Sequence, residues 1–174
     1  MKATEADSIL QPSAVTLLNG LQDTHQALLT LLAATRRSIH LYTPYLDPRL
    51  CNDSLIIDTI STQISQQPRL RFYLLLPAAT VWRGSCPRLL QLAERLTSTL
   101  SLRTLPGDEP RERPEFLQGF VIADQTVLLH QADPRNFIGS FASQGTGKAR
   151  ELLNFFMELW EKSAPDPELR RLYL

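Results

Sequence analysis

Leu117-Gln118-Gly119-Phe120-Val121-Ile122-Ala123-Asp124 is an apolar stretch that closes on Asp124-Gln125, and a second apolar run, Thr126 to His130, follows at once. Two such runs separated by two turn residues predict a tight antiparallel hairpin, with Phe116 to Ala123 as its first strand. Downstream, a loop over Gln131 to Asn136 leads to a short strand at Phe137 to Phe141, which carries Gly139 and Ser140. The final helix is predicted over Lys148 to Lys162, with Leu152, Phe155, Phe156, Leu159 and Trp160 on its buried side.

Upstream of the hairpin the hydrophobic period alternates between strand and helix. Ala14 to Leu18 reads as a strand ended by Asn19-Gly20, and Leu21 to Arg36 as a helix whose negative end suits Arg36-Arg37. Ser38 to Thr43 is a strand stopped by Pro44. Leu55, Ile56, Ile60 and Ile64 mark a helix with Asn52 or Asp53 as its cap. Leu70 to Leu76 has the continuous apolar character of a strand covered on both faces. Leu89, Leu90, Leu92, Ala93 and Leu96 give a further helix, and Leu100 to Leu105 a further strand. Helices separating buried strands imply parallel pairing and right-handed crossovers. The fold class expected is α/β, a mixed and mostly parallel sheet flanked by helices, with a C-terminal hairpin and a long final helix. Pro106 to Pro114 reads as an exposed loop.

With 174 residues the chain fits one domain, 1–174, with a short flexible N-terminus over 1–12 and a tail over 164–174 in which Glu168 to Leu172 forms one turn. Eighteen basic residues balance eighteen acidic ones, so no global field draws the protein to nucleic acid or an anionic membrane. No stretch has the length of a membrane span and residues 1–11 lack the form of a secretion signal, so a cytoplasmic location is expected. Cys51 and Cys86 have neither metal-ligand spacing nor the density of a disulfide scaffold, and are expected to be reduced structural thiols. No metal or other cofactor is expected.

The order of elements over Leu21 to Ser163, with the quoted stretch and Ile138-Gly139-Ser140-Phe141-Ala142 after it, resembles one half of the phospholipase D-like superfamily, a single half with a degenerate motif. There the strand reads H-x-K-x-x-x-x-D and is followed by G-S-x-N. The resemblance places Leu117 at the His position, Gly119 at the Lys position and Ala142 at the Asn position, and retains Asp124, Gly139 and Ser140. It implies a chemistry in which two halves meet, one His attacks phosphorus, the other protonates the leaving group, and Lys and Asn hold the oxygens. Residues two apart on a strand share a face, so Leu117 and Gly119 are expected to face the old phosphate site together. Neither side chain can attack, transfer a proton or bind an anion. The chain is also similar to an uncharacterised proteobacterial domain found alone or behind a GNAT-type acetyltransferase domain. The segments carrying that similarity are Tyr42-Thr43-Pro44 to Leu46-Asp47-Pro48, Arg83-Gly84 to Leu89-Leu90, and Pro165 to Arg171, and an acetyltransferase domain is therefore a candidate partner.

Other candidates have structural readings beside the functional ones. His25, His40 and His130 lack partners at ligand spacing and read as structural. Ser140, Lys148 and Arg83 are the candidates for anion binding. Gly145-Thr146-Gly147-Lys148 has the outline of a phosphate loop but lacks its first glycine and the hydroxyl after Lys148. Arg69, Arg71, Arg83, Arg88, Arg111 and Arg113 are material for a basic patch, scattered among acids. The expected function is a non-catalytic phospholipase D-like module acting as a homodimer or in binding, without membrane contact. The alternatives are a nucleic-acid- or phosphate-binding accessory domain and a phosphodiesterase with relocated residues at His40 or His130.

Overall fold

The computed structural model describes residues 14–105, 107, 111–145 and 147–170. The expected flexible segment 1–12, parts of the Pro106 to Pro114 loop, Thr146 and the last four residues lie outside the described residues.

The elements run β1 Val15–Asn19, α1 Leu21–Ala34, β2 Ser38–Tyr42, α2 Pro48–Cys51, α3 Ser54–Gln66, β3 Arg71–Leu76, α4 Ala79–Trp82, α5 Pro87–Arg95 and β4 Leu100–Thr104. A 3-10 turn over Pro114–Leu117 then precedes β5 Gly119–Ala123, β6 Val127–Asp133, β7 Ile138–Ala142, α6 Gly147–Lys162, β8 Ala164–Pro165 and α7 Pro167–Arg170. Among the described residues they form one mixed eight-stranded sheet in the order β1-β7-β6-β5-β2-β3-β4-β8. Parallel pairing is confined to β2 with β3 and β3 with β4, where helices make the crossovers. After Pro114 the connections are too short for a crossover, so β5, β6 and β7 pair antiparallel.

Each face of the sheet has its own core. On one side α1, α3 and α5 pack Leu31, Leu32, Ile56, Ile57 and Leu92 against Ile39, Phe72, Leu74, Val121 and Leu129. On the other, α6 lays Leu152, Phe155, Phe156 and Leu159 over Tyr42, Leu75, Phe120 and Ile122. Asp53 caps α3 through the Ile56 amide at 3.0 Å. Asn52, the alternative cap, instead accepts the Arg88 amide at 2.9 Å and so caps α5, where Pro87 begins the helix.

Three expectations are corrected. Cys51 and Cys86 are not free thiols: they are joined as a disulfide, because the Asn52 cap brings the end of α2 to the start of α5 with a Cα separation of 5.8 Å. Leu117 is not a strand residue, since Pro114 starts a 3-10 turn that Leu117 ends, fastened by the Tyr42 hydroxyl donating to the Phe116 carbonyl at 2.9 Å. Gln131 to Asp133 are not loop but the end of β6, which pairs on through Asp133 across an irregularity in the ladder. Residues 164–170 of the expected tail are docked: β8 pairs with β4, and buried Asp166 accepts the Ala79 amide and the Thr104 hydroxyl, each at 2.8 Å.

Candidate functional site

The hairpin is built as its sequence dictates. Asp124 and Gln125 hold φ of 50° and 66°, and the Thr126 amide donates back to the Ala123 carbonyl at 3.1 Å. The Asp124 carboxylate accepts the backbone amides of Arg36, Arg37 and Ser38 at 2.9, 2.7 and 3.0 Å. It therefore ties the hairpin to the turn between α1 and β2. That structural duty accounts for an Asp here without any part in catalysis.

The motif positions do not converge. Leu117 is 73% exposed at the end of its turn, whereas Gly119 is buried as the first residue of β5. A Cβ at Gly119 would stand 3.0 Å from Gln131 Oε1 and 3.4 Å from Thr43 Oγ1, so a lysine there would have to displace Gln131. Gln131 lies opposite Gly119 in the ladder, and Gly139 lies opposite Gln131 on the far side. Gly139-Ser140-Phe141-Ala142 is thus one strand removed from β5. The glycine has its own reason: a Cβ there would lie 1.9 Å from the His130 carbonyl oxygen, which only glycine avoids. Ala142 is buried opposite Leu128 and faces away from the row of Gly119.

Ser140 sits opposite His130, whose Nε2 is 2.8 Å from Gln118 Oε1. Burial, and then the charge of Lys148, hold the His130 pKa below its ordinary value. Ser140 and Lys148, two of the three anion-binding candidates, thus both border His130. Arg83 does not join them, being paired with Glu168 on α7 at 2.9 Å. The basic patch does not assemble: Arg71 caps the Pro68 and Leu70 carbonyls, Arg88 binds the Asn52 carbonyl, and Arg113 pairs with Glu115 and Glu158. His25 is paired with Asp53 at 3.1 Å. His40 is stacked on Tyr73 at 4.8 Å and edged by Phe156 at 5.2 Å, and desolvation lowers its pKa to about 4. No cluster of metal-ligating side chains occurs among the described residues.

What the sequence reading missed is a cavity of about 110 Å³ between the sheet and helices α1, α3 and α5. Its walls are mostly aliphatic, with Phe72 and Phe120 among them; apart from Thr24 on α1 and Tyr42 on β2, its polar groups, Thr43, Tyr45, Asp47 and Gln131, belong to the β2–α2 connection and the end of β6. The Nε2 of Gln131 is buried with no hydrogen-bond partner. Arg49 is held bidentately by Asp47 at 3.0 and 2.8 Å and lies over the Phe137 ring, while Arg135 lies 4.6 Å over Tyr45. Counting outward from a two-residue turn at Asp124-Gln125 would put His130 opposite Gly119; the observed pairing of Ala123 with Val127 leaves Thr126 in the loop as well and shifts Gln131 into that place.

Among the described residues no helix is long and apolar enough to cross a membrane. Comparison with known proteins finds that residues 20–172 match a family described as a domain of unknown function (DUF7931). No curated protein matches. Among solved structures, TrmBL2, described as an archaeal chromatin protein with a novel mode of DNA binding, is similar at a TM-score of 0.61 and 16% identity, over 94% of this chain and 57% of that one. Nuc from Salmonella typhimurium, a phospholipase D family member, is similar at 0.60 and 13% identity, over 87% of this chain and 97% of that one. Phosphatidylserine synthase of Haemophilus influenzae Rd KW20 is similar at 0.58 and 11% identity, over 89% of this chain and 40% of that one. The fold is phospholipase D-like. The chain spans little more than half of the TrmBL2 chain and less than half of the synthase.

Proposed function

The chain belongs to the DUF7931 family, and we propose that it is a non-catalytic module of phospholipase D-like fold that serves in self-association. The observation that carries this reading is the state of the motif strand. The Lys position is Gly119, whose side-chain space is taken by Gln131, and the His position is an exposed Leu117 outside the strand. A further support, on the face of the sheet opposite Gly119, is exposed apolar surface beside an open edge. The row from His130 through Ser140 ends at Leu17, which is 80% exposed on β1, and the outer edge of β1 pairs with no strand among the described residues. Exposed apolar side chains beside an open sheet edge are the material of a strand-to-strand or face-to-face contact.

Light scattering coupled to gel filtration tests the proposal. A dimer is expected at tens of micromolar concentration, with Leu17→Glu and Leu117→Glu each raising its dissociation constant at least about tenfold through a buried charge. A strict monomer at millimolar concentration overturns it. The nucleic-acid reading has less support, because Arg49, Arg83 and Arg113 are all engaged by carboxylates and the likeness to the archaeal chromatin protein is one of fold. Tight, steeply salt-dependent binding of single-stranded DNA would restore it. A relocated phosphodiesterase is disfavoured by the closure of His40 between Tyr73 and Phe156.

A further inference from the structure

We propose that the cavity beneath α1 and α3 is a binding site for a short aliphatic carboxylate. This goes beyond the proposed dimer and does not depend on it.

The wall sets the chain of the ligand. Leu28 on α1, Ile57 on α3 and Leu74 on β3 bound a space that offers aliphatic contact and no hydrogen bond along most of its length. A dry apolar space of about 150 Å³ accepts a benzene-sized molecule, so 110 Å³ suits about five or six carbons. Water is poorly served there, since each needs two or more polar partners.

The polar side sets the head group. Gln131 Nε2 is a buried donor that meets no acceptor in the protein, and Gln131 lines the cavity. Its carbonyl oxygen is packed against Gly119, which leaves the amide nitrogen to be satisfied from elsewhere. An unsatisfied buried donor calls for an acceptor, and a carboxylate is acceptor-only. The charge has its complement as well. Arg135 is stacked on Tyr45, a lining residue, and so sets one guanidinium group beside the polar side of the cavity. Asp47 is already engaged bidentately by Arg49, so its own charge is met within the protein.

The test is titration of the full chain with sodium hexanoate, followed by calorimetry and by the Nε2 amide resonances of Gln131. Saturable one-site binding is expected, with a shift of those resonances. Gln131→Leu should weaken binding at least tenfold, and Leu28→Phe, which fills the chamber, should abolish it, the fold of each variant being checked by circular dichroism. Hexanol should bind at least tenfold more weakly than hexanoate. The proposal fails if hexanoate does not saturate by 10 mM, if hexanol binds equally well, or if folded Leu28→Phe binds as before. Should Leu28→Phe not fold, unmoved Gln131 side-chain resonances in the unsubstituted protein at saturating hexanoate would overturn it alone.

Discussion

The two faces of the sheet are packed from different materials, and the difference explains where the molecule keeps space. Beneath α6, Tyr42, Phe116, Phe120, Phe155 and Phe156 form a continuous aromatic cluster, with ring centroids 5.2 Å apart for Phe116 and Phe155 and 6.5 Å for Phe120 and Phe156. Edge-to-face rings interlock and leave little between them. Beneath α1, α3 and α5 the residues are largely leucine and isoleucine, and there the cavity of about 110 Å³ remains. Branched side chains on separate helices each answer to their own backbone, so they do not close every gap. The aromatic face is a floor, and the aliphatic face is a compartment whose helices α2 and α5 are linked by the Cys51–Cys86 disulfide.

Truncation on the floor gives the largest expected effect. Phe156→Ala should cost about 3–5 kcal/mol in urea denaturation, against about 0.5–1.5 kcal/mol for Ile57→Val beside the cavity. Equal costs per buried carbon removed would erase the contrast between the faces. Next is the covalent link on the aliphatic side: reduction of the Cys51–Cys86 bond, which spans 35 residues, should lower stability by about 3–4 kcal/mol by freeing the unfolded chain. A melting temperature unchanged by reductant would show that the helix contacts suffice without it.

Acid sharpens the comparison from the α6 side. The His40 pKa falls from 6.5 to about 4 in the folded state through burial, so the unfolded chain binds the extra proton first. Stability is therefore full above pH 6.5 and declines as pH falls towards 4, by about 3 kcal/mol in all. His40→Phe should flatten that slope, and denaturation midpoints measured between pH 4 and 7 would expose a failure to do so. The smallest effect is over-packing. Ala149→Leu, on the buried side of α6, should cost about 1–3 kcal/mol, whereas Leu28→Phe should cost less because it has space to enter. The reverse order would mean that the spare volume lies on the wrong face.

Much of this architecture was legible in the order of residues. The hairpin about Asp124-Gln125, the buried strand through Phe72 to Leu76 and the apolar stripe of α6 all follow from local period and turn chemistry. Legibility failed where a distant group decided the outcome. Leu117 left the strand because Pro114 and the Tyr42 hydroxyl favour a 3-10 turn. Gly139 looked like a phosphate-site remnant, and its requirement is the His130 carbonyl on the neighbouring strand. Asp166 seemed part of a tail, yet it satisfies a backbone amide and a hydroxyl 87 and 62 residues away.

The sequence by itself determined the fold class, since that depends on residue type and on spacing along one chain. Tertiary structure alone decided the disulfide, the anchoring role of Asp124 and the meeting of Gln131 with Gly119. Each of these joins residues through strand register or helix docking. Hydrophobic period fixes which face a side chain takes, but only the closed sheet fixes what stands across from it.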